Sequence, residues 1–360
     1  MKNNLPLLIL ETLKNSSPII QLVWGLSGVF FIFIVILIIY LKYLRSHLRN
    51  NEKIESKYQE EYESRLVNYL YAGNDNESIS PKQQIIINEL KNHIADPFKR
   101  KIIISTLLKL RNEISGEIGE SIDKLFIKLG LLHYSLDKLK SKKWEVIAIG
   151  IRELSQFKIK AVHKIIMNNI NHPKREVRKE MQLYLVHLYA FKGLDFLNIL
   201  ETSLSEWDQI QLLEILQLNS DTQITDIRPW LKSSNDSVVI FALKLAKVYN
   251  QFEVKNELIE LLNHDSEEVR INTISALKHL NIFEAKTILK NNFNNRTHEE
   301  QIVFLKMMEN VYENSDKKFL LEHMNHKNLE IKLLVNKILK SIYIEEFELD
   351  EPQLKKSLTA

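Results

Sequence analysis

Two patterns of hydrophobic and polar residues follow one another along this chain. Residues 19–41 read IIQLVWGLSGVFFIFIVILIIYL and contain no charged side chain. From about residue 82 to residue 343, short amphipathic segments recur instead, separated by polar turns. The first pattern predicts a membrane-spanning helix, because about 20 apolar residues at helical rise cross a bilayer core about 30 Å thick. The second pattern predicts paired helices in an all-α fold.

The ends of the apolar segment carry residues that favour a membrane interface. They are Trp24 on one side and Tyr40, Lys42, Tyr43 and Arg45 on the other. Amphipathic rings settle at the headgroup level, and basic residues after a span mark its cytoplasmic side. We therefore expect a single span with a cytoplasmic C-terminal part. The alternatives are a buried core helix and a secretory signal, whose apolar region is only about 7 to 15 residues long.

Changes in composition predict the remaining organisation. Residues 1–18 form a short N-terminal segment without an assigned role, and residues 42–71 predict a charged juxtamembrane helix that continues the span. Residues 72–81, AGNDNESISP, predict a linker to the repeat region at 82–343. The acidic tail at 344–360 is expected to be a solvated terminus, or else a motif that docks a partner or caps the last repeat.

The repeat region has a period near 31 residues. Each copy places an aliphatic residue in the first turn of its second helix, and these predicted anchors are Val146, Val177, Ile210, Val238, Val269, Ile302 and Ile331. Their intervals are 31, 33, 28, 31, 33 and 29 residues. Such a period is typical of a solenoid, in which each helical pair buries its apolar face against its neighbours. Residues 111–140 depart from the period, which indicates an insertion or one long helix.

One repeat carries a recognisable motif. The segment DSEEVR, from Asp265 through Val269 to Arg270, resembles the Asp-x-x-x-Val-Arg turn of HEAT repeats. A second copy keeps the pair Val177-Arg178 but has His172 where the family prefers aspartate. The resemblance implies an armadillo-like α-solenoid of about eight helical pairs, with the second helices on its concave side. It also implies that the two arginines pair with turn carboxylates between repeats. It implies no particular chemistry.

Composition narrows the range of functions. The 49 basic and 46 acidic side chains give a net charge of +3, which does not build the positive field of a dedicated nucleic-acid-binding protein. The absence of cysteine excludes disulfides, thiolate zinc sites and cysteine nucleophiles. No glycine-rich phosphate loop, G-x-S-x-G elbow or H-E-x-x-H motif occurs. We therefore expect no catalytic residue, no cofactor, no metal site and no nucleic-acid partner.

Histidines and tryptophans leave weaker alternatives. His323 and His326 lie three residues apart, so they can share a metal on one helical face, but the sequence supplies no third ligand nearby. A hydroxylase family with a HEAT fold binds iron through repeated His-Glu pairs, and one pair, His298-Glu299, does not build that site. Three tryptophans invite comparison with DNA-repair glycosylases of similar fold, yet each lies near a turn or helix start, where core packing is expected. They are Trp144, Trp207 and Trp230.

These features together predict a non-catalytic, membrane-tethered scaffold or adaptor. Its concave surface is expected to bind a membrane-associated protein, and a component of an envelope or polysaccharide-export assembly fits this description. A tethered HEAT-fold lyase or hydrolase and a regulatory ligand-sensing subunit are the alternatives. The high content of Asn, Ile and Lys is typical of an AT-rich bacterial genome, so the expected membrane is the inner (cell) membrane.

Overall fold

A computed structural model describes residues 17–72, 79–114, 116–218 and 224–358. These residues form α-helices and short 3-10 segments, and this part of the chain contains no strand. The predicted all-α class is therefore confirmed. The chain divides into two compact units, residues 1–133 and 134–360. The predictions for residues 1–16 and for most of the linker at 72–81 lie outside the described residues.

Helix α1 (Pro18–Tyr71) contains both the predicted span and the predicted juxtamembrane helix. Pro18 lies in the first turn of the helix. Proline is tolerated there because backbone N–H groups of the first turn have no intrahelical partner. Its most apolar window has a mean hydropathy of 2.9, and none of that window is buried against the rest of the chain. The helix is long and apolar enough to cross a membrane. At 1.5 Å per residue, residues 19–41 extend about 34 Å.

The last turns of α1 belong to the core of the first unit. Tyr62, Leu66 and Tyr69 are buried against α2 (Pro81–Ile94), α3 (Pro97–Glu113) and α4 (Gly116–Lys128). Residues 42–54 are exposed, as expected of a solvated juxtamembrane helix. The predicted boundary between a juxtamembrane segment at 42–71 and the packed helices therefore needs revision, because packing begins within α1 and not after the linker.

Two helices occupy the irregular stretch at 111–140. Helix α4 is followed by α5 (Leu131–Lys138), and Gly130 between them has a φ of +76°. Glycine adopts this left-handed conformation without steric cost, so it ends α4 and starts a turn. The stretch is therefore not one long helix.

Among the described residues, seven helical pairs follow α4, and from Tyr134 onward they make up the second unit. We call the second member of each pair the B helix, and the B helices are α6 (Trp144–Gln156), α8 (Arg175–Tyr189), α9 (Glu206–Leu218), α11 (Asp236–Val248), α13 (Glu267–His279), α15 (His298–Met308) and α17 (Leu329–Leu358). The first members, called A elements, are α5, α7 (His163–Met167), the 3-10 segment Ala190–Ile199, α10 (Arg228–Leu231), α12 (Lys255–Glu260), α14 (Ala285–Asn291) and α16 (Lys317–His323).

Neighbouring B helices pack on one another from α6 to α9 and again from α11 to α17. Together with the pair α2 and α3, the seven pairs agree with the prediction of about eight. The backbone of the predicted tail continues α17 as a helix as far as Leu358.

A 3-10 segment replaces the A helix of the third pair. Helix α8 ends at Tyr189, and the next residue, Ala190, has a φ of +50°. The chain then returns so closely along α8 that a Cβ on Gly193 would lie 2.2 Å from the carbonyl oxygen of Leu185. Only glycine fits at this position without a shift of the backbone.

Candidate protein-interaction surface

The B helices share one register, which is defined by the third residue of each helix. These residues are Val146, Val177, Asp208, Val238, Val269, Glu300 and Ile331. Their intervals are 31, 31, 30, 31, 31 and 31 residues, and all but Val146 are buried. The predicted anchors Ile210 and Ile302 are wrong, because Ile210 is 46% exposed and Ile302 is half-buried.

Carboxylates replace the aliphatic anchor in two repeats because each one meets a cation from the preceding repeat. Asp208 accepts from Arg175 Nη2 at 3.2 Å, and Glu300 accepts from Arg270 Nε at 2.7 Å. Each carboxylate also lies in the first turn of its helix, where the helix dipole favours a negative charge. Burial opposes ionisation of Glu300, but the hydrogen bonds from Arg270 and from the Thr297 N–H outweigh it and lower its pKa.

The motif arginines close their own turns. Arg178 Nη1 donates to the carbonyl oxygens of His172 and Pro173, at 2.7 and 3.2 Å. Arg270 makes the same two bonds within its repeat, in addition to its pair with the next repeat. The structural counterpart of Asp265 is Pro173, not His172 as the sequence comparison assumed. Arg178 therefore binds turn carbonyls and not a turn carboxylate.

Histidine side chains accept a backbone hydrogen bond in three of these turns. Nδ1 of His172, His264 and His326 each accepts the N–H of the second residue after it, at 3.1 Å. The hydroxyls of Ser141 and Ser233 take the same role in two other repeats. An imidazole nitrogen accepts a hydrogen bond only when it carries no proton. These histidines therefore stabilise the turns through an Nδ1 that accepts the backbone hydrogen bond.

An aliphatic row crosses the exposed face of the last five B helices. It consists of the fifth residue of each helix, namely Ile210, Ile240, Ile271, Ile302 and Leu333. Leu333 is 60% exposed, Ile271 and Ile302 are half-buried, and Ile240 is buried. Packed helices lie about 8–10 Å apart, so equivalent side chains from α11 to α17 are neighbours, and Ile210 of α9 lies across a gap from Ile240. We call these five residues the aliphatic row.

Exposed carboxylates lie at the first or second residue of all seven B helices, including the five that carry the aliphatic row. They are Glu145, Glu176, Glu206, Asp236, Glu267, Glu268, Glu299 and Glu330. Glu206 and Glu330 meet Lys244 and Lys306, at 3.7 and 3.0 Å. The other six form no ion pair within the described residues. The face is therefore apolar along its row and negative along one edge.

A groove of about 450 Å³ opens on this face between α9, α11 and α13. The carboxylates of Glu206, Asp236 and Glu268 line it. Gln209 also lines it, although this residue is only 3% exposed. Its Nε2 donates to a backbone carbonyl at 3.0 Å, whereas its Oε1 accepts no hydrogen bond.

The three tryptophans of the repeat region have different surroundings. Trp230 is buried, as expected for core packing, and Trp144 is half-buried. Trp207, the second residue of α9, is exposed instead. The expectation of core packing is therefore wrong for Trp207, which adds an aromatic side chain to the exposed part of the B helices.

The histidines near the C-terminal end come together across two repeats. The rings of His298 and His326 lie edge to face with centroids 5.7 Å apart. Nδ1 of His323 donates to the carbonyl of Phe319 at 2.8 Å, and its Nε2 contacts the amide of Asn294. Among the described residues, no group of three or more His, Asp or Glu side chains is arranged to bind a metal ion.

The predicted membrane-interface residues all lie on α1 and are exposed. They are Trp24, Tyr40, Lys42, Tyr43 and Arg45. At helical rise, Trp24 and Tyr40 are about 24 Å apart along the axis. This separation is close to the thickness of a bilayer core, so the two rings are spaced as membrane-interface anchors would be.

Comparisons with known proteins give similarity of fold only. No family model matches the chain, and no curated protein matches it. A designed armadillo repeat protein is 14% identical with a TM-score of 0.31, over 58% of this chain and 98% of that chain. Human deoxyhypusine hydroxylase in complex with glycerol is 12% identical with a TM-score of 0.30, over 78% and 96%. The assignment of helical repeats rests on the packing and register within the chain itself.

Proposed function

We propose that this chain is a non-catalytic, membrane-tethered scaffold that binds a protein partner on the exposed face of its B helices. The observation that carries the proposal is the aliphatic row. Ile210 and Leu333 of the row are exposed and Ile271 and Ile302 are half-buried. Apolar side chains that reach the surface at one position of successive helices form a patch of the kind that marks protein interaction sites. The carboxylates along its edge resemble the polar rim of such interfaces. Stacked helical repeats use extended surfaces of this type for binding.

The apolar part of α1 supports the proposed tether. Lys42 and Arg45 directly follow it, which favours a cytoplasmic position for the repeats. The helix continues without a break from Leu41 to Glu55, whose carboxylate lies 3.6 Å from Nζ of Lys101 in α3. This length is about 21 Å at helical rise. We propose a bacterial inner-membrane location and a membrane-associated partner, such as a component of an envelope or polysaccharide-export assembly.

Affinity purification of the full chain from solubilised membranes of its host tests this proposal. The variant Ile210→Asp/Leu333→Asp places charges on the two exposed residues of the aliphatic row. A matched control, Ile199→Asp/Leu321→Asp, changes two exposed aliphatic residues on A elements. We expect the row variant to recover at least about ten-fold less of a membrane protein that copurifies with the control. The reason is that burying an introduced charge in the interface costs free energy. Equal recovery with both variants would contradict the proposal.

A further inference from the structure

The groove between α9, α11 and α13 is rich in hydrogen-bond acceptors and negative charge. Three carboxylates line it, from Glu206, Asp236 and Glu268, against the single ammonium of Lys244. That ammonium lies 3.7 Å from Glu206, whereas Asp236 and Glu268 have no ion-pair partner among the described residues. A ligand for this groove should therefore be cationic.

Gln209 gives an independent indication that the missing ligand is a donor. Its side chain is almost fully buried and its Nε2 is occupied by the carbonyls of Leu204 and Ser237, at 3.0 and 3.4 Å. Its Oε1 is buried without any hydrogen bond. Buried acceptors are nearly always satisfied in folded proteins, so this oxygen has the capacity for one further donor.

We propose that this groove binds the side chain of an arginine from the partner protein. A guanidinium carries five N–H donors in a fixed plane and no acceptor, so it can meet two carboxylates and an amide oxygen at once. A lysine ammonium is more strongly hydrated and presents its donors from a single point. Ile240 of the aliphatic row also lines the groove, which provides an apolar wall for the arginine stem.

This inference rests on the proposed function and specifies the chemistry of the partner. The partner segment should carry an arginine flanked by apolar residues, because the groove lies within the aliphatic row at Ile240 and near Ile210. The negative edge formed by the other B helices would attract further basic residues of the same segment and speed its association.

The test uses the full chain in detergent micelles with isotopically labelled isoleucine methyl groups. The resonance of Ile240 is identified by its loss in Ile240→Val. The probes are acetyl-Leu-Arg-Leu-amide and the same peptide with citrulline, which has a similar shape but no charge. We expect a saturable shift of the Ile240 methyl with the arginine peptide, and at least ten-fold weaker binding of the citrulline peptide.

Variants then locate the site. Asp236→Asn/Glu268→Gln should weaken the arginine peptide at least ten-fold, whereas Glu145→Gln/Glu176→Gln, at equivalent positions of other B helices, should not. An unchanged spectrum of the remaining isoleucines shows that the variants are folded. Equal binding of the citrulline peptide, equal loss in both variants, or no shift at all would overturn the inference. If the arginine peptide fails while the row variant still loses its protein partner, the scaffold proposal stands and only this assignment is wrong.

Discussion

Arg270 Nε donates to Glu300 Oε1 at 2.7 Å, and this bond joins two consecutive B helices through residues 30 positions apart. Glu300 is only 1% exposed and stands where four of the other repeats bury an aliphatic anchor. Oε2 of the same carboxylate accepts the N–H of Thr297 at 3.0 Å, which completes a capping box. The Glu300 side chain thus caps the N-terminus of its own helix and also binds the preceding repeat through Arg270.

Glu300→Gln should lower the free energy of unfolding by about 3 kcal/mol, because it leaves the largely buried guanidinium of Arg270 without a counter-charge. Urea unfolding of the full chain in micelles measures the loss, and amide hydrogen exchange should locate it in α13 and α15. Glu299→Gln, the exposed neighbour, should change stability by less than about 0.5 kcal/mol. Similar small effects of both changes would show that the pair does not join the repeats.

Gly193→Ala should destabilise the second unit by at least about 3 kcal/mol, since the added Cβ would lie 2.2 Å from the carbonyl of Leu185. The backbone of the 3-10 segment Ala190–Ile199 must then move away from α8. Thermal unfolding followed by circular dichroism measures the effect. Gly28→Ala, whose Cβ meets nothing within 4 Å, is the control and should leave the transition unchanged. A normal transition for Gly193→Ala would refute the close approach.

Two neighbouring residues of α17 test the register of the B helices. Ile331→Ala should cost about 2–5 kcal/mol, because Ile331 is fully buried. Leu333→Ala should cost less than about 0.5 kcal/mol, because Leu333 belongs to the exposed aliphatic row. Urea midpoints of the two variants measure the difference. A larger loss of stability with Leu333→Ala would mean that Leu333 is the buried residue and Ile331 the exposed one, which contradicts the register.

Stability should fall as the pH is lowered from about 7 through 6.5. Burial and the nearby charges of His298 and His323 lower the pKa of His326 below its ordinary value of 6.5. The unfolded chain therefore takes up a proton before the folded chain does, so the free energy of unfolding rises with pH across this window. Urea midpoints between pH 5 and 8 measure the slope. His326→Ser, which retains a turn acceptor as in Ser233, should reduce the slope but not abolish it, because burial also lowers the pKa of His187. An unaltered slope would exclude His326 as a source.

The repeat period and the all-α fold class could be predicted from the sequence, because an aliphatic residue recurs about every 31 positions in most of the helical pairs. The two carboxylate anchors could not, since Asp208 and Glu300 become acceptable in the interior only beside Arg175 and Arg270 of the preceding repeat. The nearest aliphatic residues that fit the sequence pattern lie two positions later, at Ile210 and Ile302. Two residues on a helix turn a side chain by about 200°, so both choices fell on the exposed face.

The candidate site was harder to predict for the same reason. The aliphatic row becomes visible only after the register is corrected, when Ile210 and Ile302 align with Ile271 and Leu333. A strict 31-residue count carried through the polar positions would have found it. The groove depends on the separation of α9 from α11 and on the unmet oxygen of Gln209, which no local pattern encodes.

Site-specific photocrosslinking in cells of the source organism tests the central claim most directly. A photoreactive residue is placed in the full chain at Ile210 or Leu333 of the aliphatic row, and at Leu321 of α16 as an equally exposed control. The scaffold account predicts one discrete protein adduct, found by mass spectrometry, from both row positions and not from Leu321, and its loss when residues 1–41 are removed. Adducts of equal yield from all three positions, or none from the row, would contradict it.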